Sequence, residues 1–290
     1  MNMYDRLKKY GFVLLIFCWA AFLLLKGLDF APLWSDEAST AWYARGVVQT
    51  GLPSAWDGKN IWGAEDGPEL NEHLVLAYIP WLHYYIAAGS FALFGETVWA
   101  ARFPFALVGL FSAVFFFGFL RKMFSEQKLV YLGLILYIHT LPFLIYSRQC
   151  RYFSLLMLFS TAWLWIMTHL ESKKRIIALS ILFTLFLHTH YFVAACFVGA
   201  LGITGLTCGT PKKLWREHLI SLCTAALFFL PWFAFHNPWL SGISEFLQRK
   251  IDLPFSTQLL LYLNELNYSL IFPALLVFLL PLTYWRSENL

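Results

Sequence analysis

The chain has 290 residues, 59% of them apolar and 19% aromatic, with only 13% charged and a formal net charge of +4. A soluble domain carries about 25% charged residues, so that class is excluded; no nucleic-acid partner is expected. Apolar runs of about 20 residues recur, each long enough to cross a hydrocarbon core of about 30 Å; with no ten-residue alternating pattern, the fold expected is an all-α integral membrane bundle rather than a barrel.

In chain order, a basic flank with Arg6, Lys8 and Lys9 precedes a first span over 11–30. Its apolar core runs on to Phe30-Ala31-Pro32 with no small-residue cleavage site, so it reads as an uncleaved span. Further spans are expected at 98–120, 129–146, 153–170, 176–191, 192–208, 219–235 and 259–284, about eight in all. The connectors carry Arg121, Lys122 and Lys128, then Lys173-Lys174-Arg175, then Lys212, Lys213 and Arg216, with Arg286 after the last span. The positive-inside rule places all of these in the cytoplasm, which puts both termini there too.

Residues 76–94 could form another span, but that would move the three central basic clusters outside. Pro80, His83 and the Trp/Tyr cluster suit an interface, so a helix on the outer surface is expected. The external segments are then 31–97, 147–152, the turn at 188–191, and 236–258. The first holds nearly half of the 17 acids. The five cysteines, Cys18, Cys150, Cys196, Cys208 and Cys223, have neither metal nor disulfide spacing; core packing is expected for most of them. No P-loop, dinucleotide fingerprint or zinc-protease motif is present.

Three external clusters could carry chemistry. Leu33-Trp34-Ser35-Asp36-Glu37 places two acids after the first span. They suit capping of a helix that starts there, or a general base or metal ligand at the membrane surface. Tyr146-Ser147-Arg148-Gln149-Cys150-Arg151-Tyr152 carries two arginines where the rule expects few; guanidinium forks suit phosphate oxygens, or snorkel to lipid head groups. His188-Thr189-His190-Tyr191 could bind a metal, a sugar or a phosphate, or simply pack. Arg45, Lys59, Arg102 and the Arg249-Lys250 pair also fall outside.

The order of these segments resembles a known family. An acid pair ends the first outward span; a long loop follows with Pro80-Trp81-Leu82-His83-Tyr84-Tyr85, then Ala101-Arg102-Phe103-Pro104, Ser147-Arg148-Gln149-Cys150-Arg151-Tyr152 and His188-Thr189-His190-Tyr191-Phe192. Over about 8–235 the chain is similar to the GT-C glycosyltransferases of the dolichyl-phosphate-mannose–protein mannosyltransferase and aminoarabinose transferase type. The resemblance implies a single membrane domain whose active site faces outward, in the inner membrane of a bacterium. The enzyme would move a sugar, with inversion, from a polyprenyl-phosphate carrier to an acceptor hydroxyl of a lipid, polysaccharide or protein. It implies Asp36, with Glu37 beside it, as the catalytic position. Carrier phosphate and substrate would be held by Arg148, Arg151, Tyr152, Lys59, Arg102, His83, His188, His190 and Tyr191. The cofactor is left open; a divalent ion, if used, would sit on Asp36. Several relatives carry a second acid in the segment equivalent to 147–154, and this chain has none there. Relatives are also commonly longer, which leaves open a truncated member or a non-catalytic subunit. A lipid-linked-sugar flippase is the other alternative, though its polar midplane residues are scarce in these spans.

Overall fold

The computed structural model describes residues 3–63, 67, 69–236 and 257. The predicted last span at 259–284, most of the loop at 236–258 with Arg249-Lys250, and Arg286 lie outside them. Nine helices are present among the described residues: α1 Met3–Leu25, α2 Ser35–Thr50, α3 Leu82–Phe94, α4 Val98–Met123, α5 Gln127–Ile138, α6 Leu141–Tyr146, α7 Phe153–His169, α8 Ser172–Thr207 and α9 Lys212–His236. The described residues form an all-α membrane bundle, as the composition requires. By length and composition α4 and α9 are each long and apolar enough to cross a bilayer, as is α8 counted across its break.

The predicted span 129–146 is two helices rather than one. Thr140 accepts a hydrogen bond from Phe143 N at 3.3 Å and so caps a new helix, α6. Pro142, which has no N–H to continue the ladder, occupies its first turn. The two spans predicted at 176–191 and 192–208 are the halves of α8, which breaks at His190 (φ −163°, ψ 96°). The halves fold back on one another. Phe186 and Phe197 lie with ring centroids 5.2 Å apart, whereas eleven residues of straight helix span about 16 Å. Both ends of α8 also meet the start of α9: Arg175 pairs with Glu217 at 2.9 Å, and Gly205 packs directly under the Trp215 ring.

α3 has 13 residues, about 20 Å of helix, too short to cross the hydrocarbon core. It packs against α2, α4 and α8. Thr97 caps the start of α4 by accepting from Ala100 N at 3.1 Å. The described residues of 51–81, between α2 and α3, hold isolated antiparallel bridges at Ser54–Val75, Trp56–Ile61 and Leu70–Leu76.

α4 is the spine of the bundle. One side of it enters a core with α2, α3, α7, α8 and α9, and the other a core with α1, α5 and α6. Small residues let its neighbours close in. A Cβ on Gly109 would collide with the Ser147 side chain, and one on Gly118 would lie 2.6 Å from Trp165. Close backbone approach of this kind is how helices associate where lipid removes the hydrophobic driving force between them. The cysteines reverse the expectation. Cys18, Cys196, Cys208 and Cys223 are exposed, and Cys150 is buried. A helix in a bilayer can turn apolar residues toward lipid as cheaply as toward the core, so apolar surroundings in sequence do not imply burial.

Candidate active site

The chain direction places the end of α1, the start of α2, the start of α4 and the α6–α7 link at one end of the bundle, and the bend of α8 joins them there. Arg121, Lys122, Lys128, Lys173, Lys174, Lys212 and Lys213 belong to helix ends at the other. The acids near position 36 and the arginines near 150 therefore share one end, where they are in direct contact.

Glu37 is the better buried acid, 1% exposed. It sits in the first turn of α2 and faces Arg102, in the first turns of α4. Arg102 Nε donates to Oε1 at 2.8 Å and Nη2 to Oε2 at 2.6 Å, the two-pronged geometry that guanidinium offers a carboxylate. Cys150 N donates to the same Oε1 at 2.8 Å. The remaining Arg102 donors go to the carbonyls of Leu28 (2.7 Å), Ala31 (2.8 Å) and Pro32 (3.0 Å). All five of its N–H groups are thus engaged. Arg102, read from sequence as a substrate ligand, is here a knot joining the α1–α2 strap, α2 and α4. Burial and the Glu37 carboxylate together push the Cys150 thiol pKa up, so this cysteine stays protonated.

Asp36, the preceding residue, is different. Its side chain is 45% exposed and faces Arg151, with Nη2 to Oδ2 at 3.1 Å. Arg151 Nη1 also donates to the Asp36 carbonyl at 3.3 Å. The Arg151 Nε is enclosed and has no acceptor. Its guanidinium lies 5.1 Å from the centre of the Tyr152 ring, within cation–π range.

Tyr152 is the hub of the ring contacts. His83, from the first turn of α3, lies 5.6 Å from it, and His190, from the break in α8, lies 4.6 Å away. His83 is 0% exposed with neither ring nitrogen hydrogen-bonded. Burial, then the positive Arg151, holds its pKa well below the usual imidazole value, so it is neutral near pH 7. Asp36, Arg151, Tyr152, His83 and His190 therefore form one cluster drawn from α2, the α6–α7 link, α3 and α8.

Other residues read from sequence fall elsewhere. Arg148 turns to α1 and donates to the carbonyls of Leu23 (2.5 Å), Lys26 (2.9 Å) and Gly27 (3.0 Å), capping that helix. His188 faces α9, with Nε2 3.4 Å from the Phe228 carbonyl, while His190 faces Tyr152, so the two imidazoles do not converge. Tyr191 packs near Phe229. Lys59 lies in an exposed turn whose Asp57 carboxylate accepts from Lys59 N and Asn60 N.

A divalent ion does not suit these donors. Both Glu37 oxygens are taken by Arg102 and Cys150 N, and Asp36 faces a cation rather than a second acid. Among the described residues no group of three or more His, Cys, Asp or Glu gathers.

Sequence reading missed the pairing of Glu37 with Arg102, the full burial of His83, and the buried Arg175–Glu217 pair at the opposite end. A signal for the first was available: Arg102 lies one turn into a long apolar span, where an unpaired charge would be costly.

Family profile and fold together place this polytopic helical bundle, with its acid–arginine cluster at one mouth, among the GT-C membrane proteins. The chain belongs to the dolichyl-phosphate-mannose-protein mannosyltransferase family, whose profile matches residues 79–239. It is similar in fold to the crystal structure of ArnT from Cupriavidus metallidurans bound to undecaprenyl phosphate. The TM-score is 0.53 at 19% identity, over 81% of this chain and 42% of that one. The chain thus spans less than half the length of that structure. No curated protein matches it.

Proposed function

We propose that the protein transfers a glycosyl group from a polyprenyl-phosphate carrier to an acceptor hydroxyl, on the outer face of a bacterial inner membrane with both termini in the cytoplasm. The observation that carries this reading is the Asp36–Arg151 pair at 3.1 Å, half open at the mouth of the bundle. Family membership and the fold shared with a protein solved with undecaprenyl phosphate support it. The distribution of basic residues at the opposite end supports the outward orientation.

In the mechanism, the carrier phosphate takes Arg151 away from Asp36, using the enclosed Nε–H as well as Nη2. The freed Asp36 carboxylate accepts the proton of the acceptor hydroxyl. The acceptor oxygen forms a bond to the anomeric carbon on the face opposite the phosphate. The anomeric C–O bond breaks, and its electron pair leaves on the phosphate, where Arg151 stabilises it. Glu37 and Arg102 touch no substrate; they fix the backbone from which Asp36 projects, and Tyr152 with His83 and His190 packs around Arg151.

Asp36→Asn, purified and reconstituted in nanodiscs with a polyprenyl-phosphate sugar, should lose roughly 10²–10⁴ in transfer rate, the usual worth of a general base. Arg151→Gln should lower transfer and raise the KM for the donor. Wild-type rates in Asp36→Asn would refute the mechanism.

A further inference from the structure

A second cavity lies beside the cluster and is not used by the proposed reaction. Between the strap after α1, the first turns of α2 and α4, and α6 is a cavity of about 280 Å³. Its apolar wall is Leu28, Leu144, Ile145 and Trp34, and its polar side includes Arg148 and Gln149. The volume is just under the ~300–1,000 Å³ of whole-ligand sites, so it suits a head group whose tails lie outside. Ile145, which lines it, is itself exposed, as befits a lipid-facing rim.

The charge at this cavity does not balance. Arg102 and Glu37 also line it, and their charges match each other across 2.6 Å. Arg148 has no carboxylate partner among the described residues; its acceptors are three main-chain carbonyls. These bonds use three of five N–H groups, which leaves Nε–H and one Nη1–H. Lys26 and Asp29 on the exposed strap offset each other in sign. Gln149 Oε1 is enclosed and accepts from no protein donor. The cavity thus offers an uncompensated cation.

We infer that this cavity binds the head group of an anionic phospholipid, phosphatidylglycerol, with its phosphate on Arg148. Basic pockets between membrane helices are suited to lipid head groups, and Trp34 stands at the interface where indoles settle. The lipid joins the strap after α1 to α6 from outside, next to the site but apart from Asp36.

The test measures lipid without turnover, so it stands or falls independently of the transferase reading. The full chain is purified in neutral detergent with phosphatidylglycerol or phosphatidylcholine, and retained lipid is counted by native mass spectrometry. Wild type should keep about one phosphatidylglycerol and little phosphatidylcholine, and Asp36→Asn should do the same. Arg148→Gln should lower retention roughly fivefold, the worth of one cation near a lipid phosphate. Because that change also uncaps α1, Ile145→Trp fills the cavity without touching the carbonyls and should lower retention too. Inorganic phosphate should leave the thermal midpoint unmoved where phosphatidylglycerol raises it. Equal retention of the two lipids by wild type, undiminished retention in both variants, or equal stabilisation by inorganic phosphate would each overturn the assignment.

Discussion

Asp36 and Glu37 are neighbours in sequence and opposites in setting. Glu37 is sealed against Arg102, which spends its other donors on main-chain carbonyls. Asp36 keeps an exposed edge and a single arginine that itself has an enclosed donor to spare. One ion pair is built to stay closed and the other can exchange partners. A helix start produces this split naturally: consecutive residues point about 100° apart, so one acid of a pair turns into the bundle when the other faces its mouth.

The contrast can be broken most severely at the sealed pair. Glu37→Gln leaves Arg102 as a buried, unpaired charge. The expected loss is about 3–5 kcal/mol of stability, seen as a lowered thermal midpoint in detergent, with transfer lost alongside. Asp36→Asn should separate the two properties, abolishing measurable transfer while changing stability by no more than about 1 kcal/mol, as exposed pairs do. A drop in midpoint as large as that of Glu37→Gln would erase the distinction. Gly109→Val sharpens the comparison from behind. It pushes Ser147 and hence the link that carries Cys150 and Arg151, and overpacking of this kind costs about 1–3 kcal/mol. Both pairs should loosen together, read as a midpoint shift with a raised KM for the donor.

The smallest effect concerns protons. His83 is held neutral, its pKa lowered by burial and by Arg151. The unfolded chain takes up a proton near pH 6.5 and the folded chain does not. The stability this residue contributes is therefore full above about pH 6.5 and is lost as pH falls below it, by at most about 1.4 kcal/mol per pH unit. His83→Asn should flatten that acid slope in midpoint-against-pH measurements and leave the Glu37–Arg102 knot intact.

Much of the scaffold was legible because lipid imposes a simple rule on hydropathy and charge. The basic end, the shared mouth and most of the described helices followed from apolar runs and from Lys and Arg positions. The break between α5 and α6 was written in Thr140-Leu141-Pro142 but hidden within one apolar run. The site was legible as an inventory and not as a wiring diagram. Arg102, Arg148 and Arg151 look alike in sequence; one closes a carboxylate, one caps a helix and one meets Asp36. Partners 65 residues apart, as Glu37 and Arg102 are, depend on how α2 and α4 dock, which local pattern does not encode.

The strap after α1 is gripped at its oxygens and by the buried Leu28 side chain. Six backbone C=O groups, from Leu23 to Pro32, point at two guanidinium forks. Peptide oxygens are the same whatever residue bears them, so this stretch can drift in composition while the grip persists. Mutational scanning should find most substitutions at Lys26, Asp29 and Phe30 silent for assembly, and the intolerance concentrated in the distant arginines that read the strap.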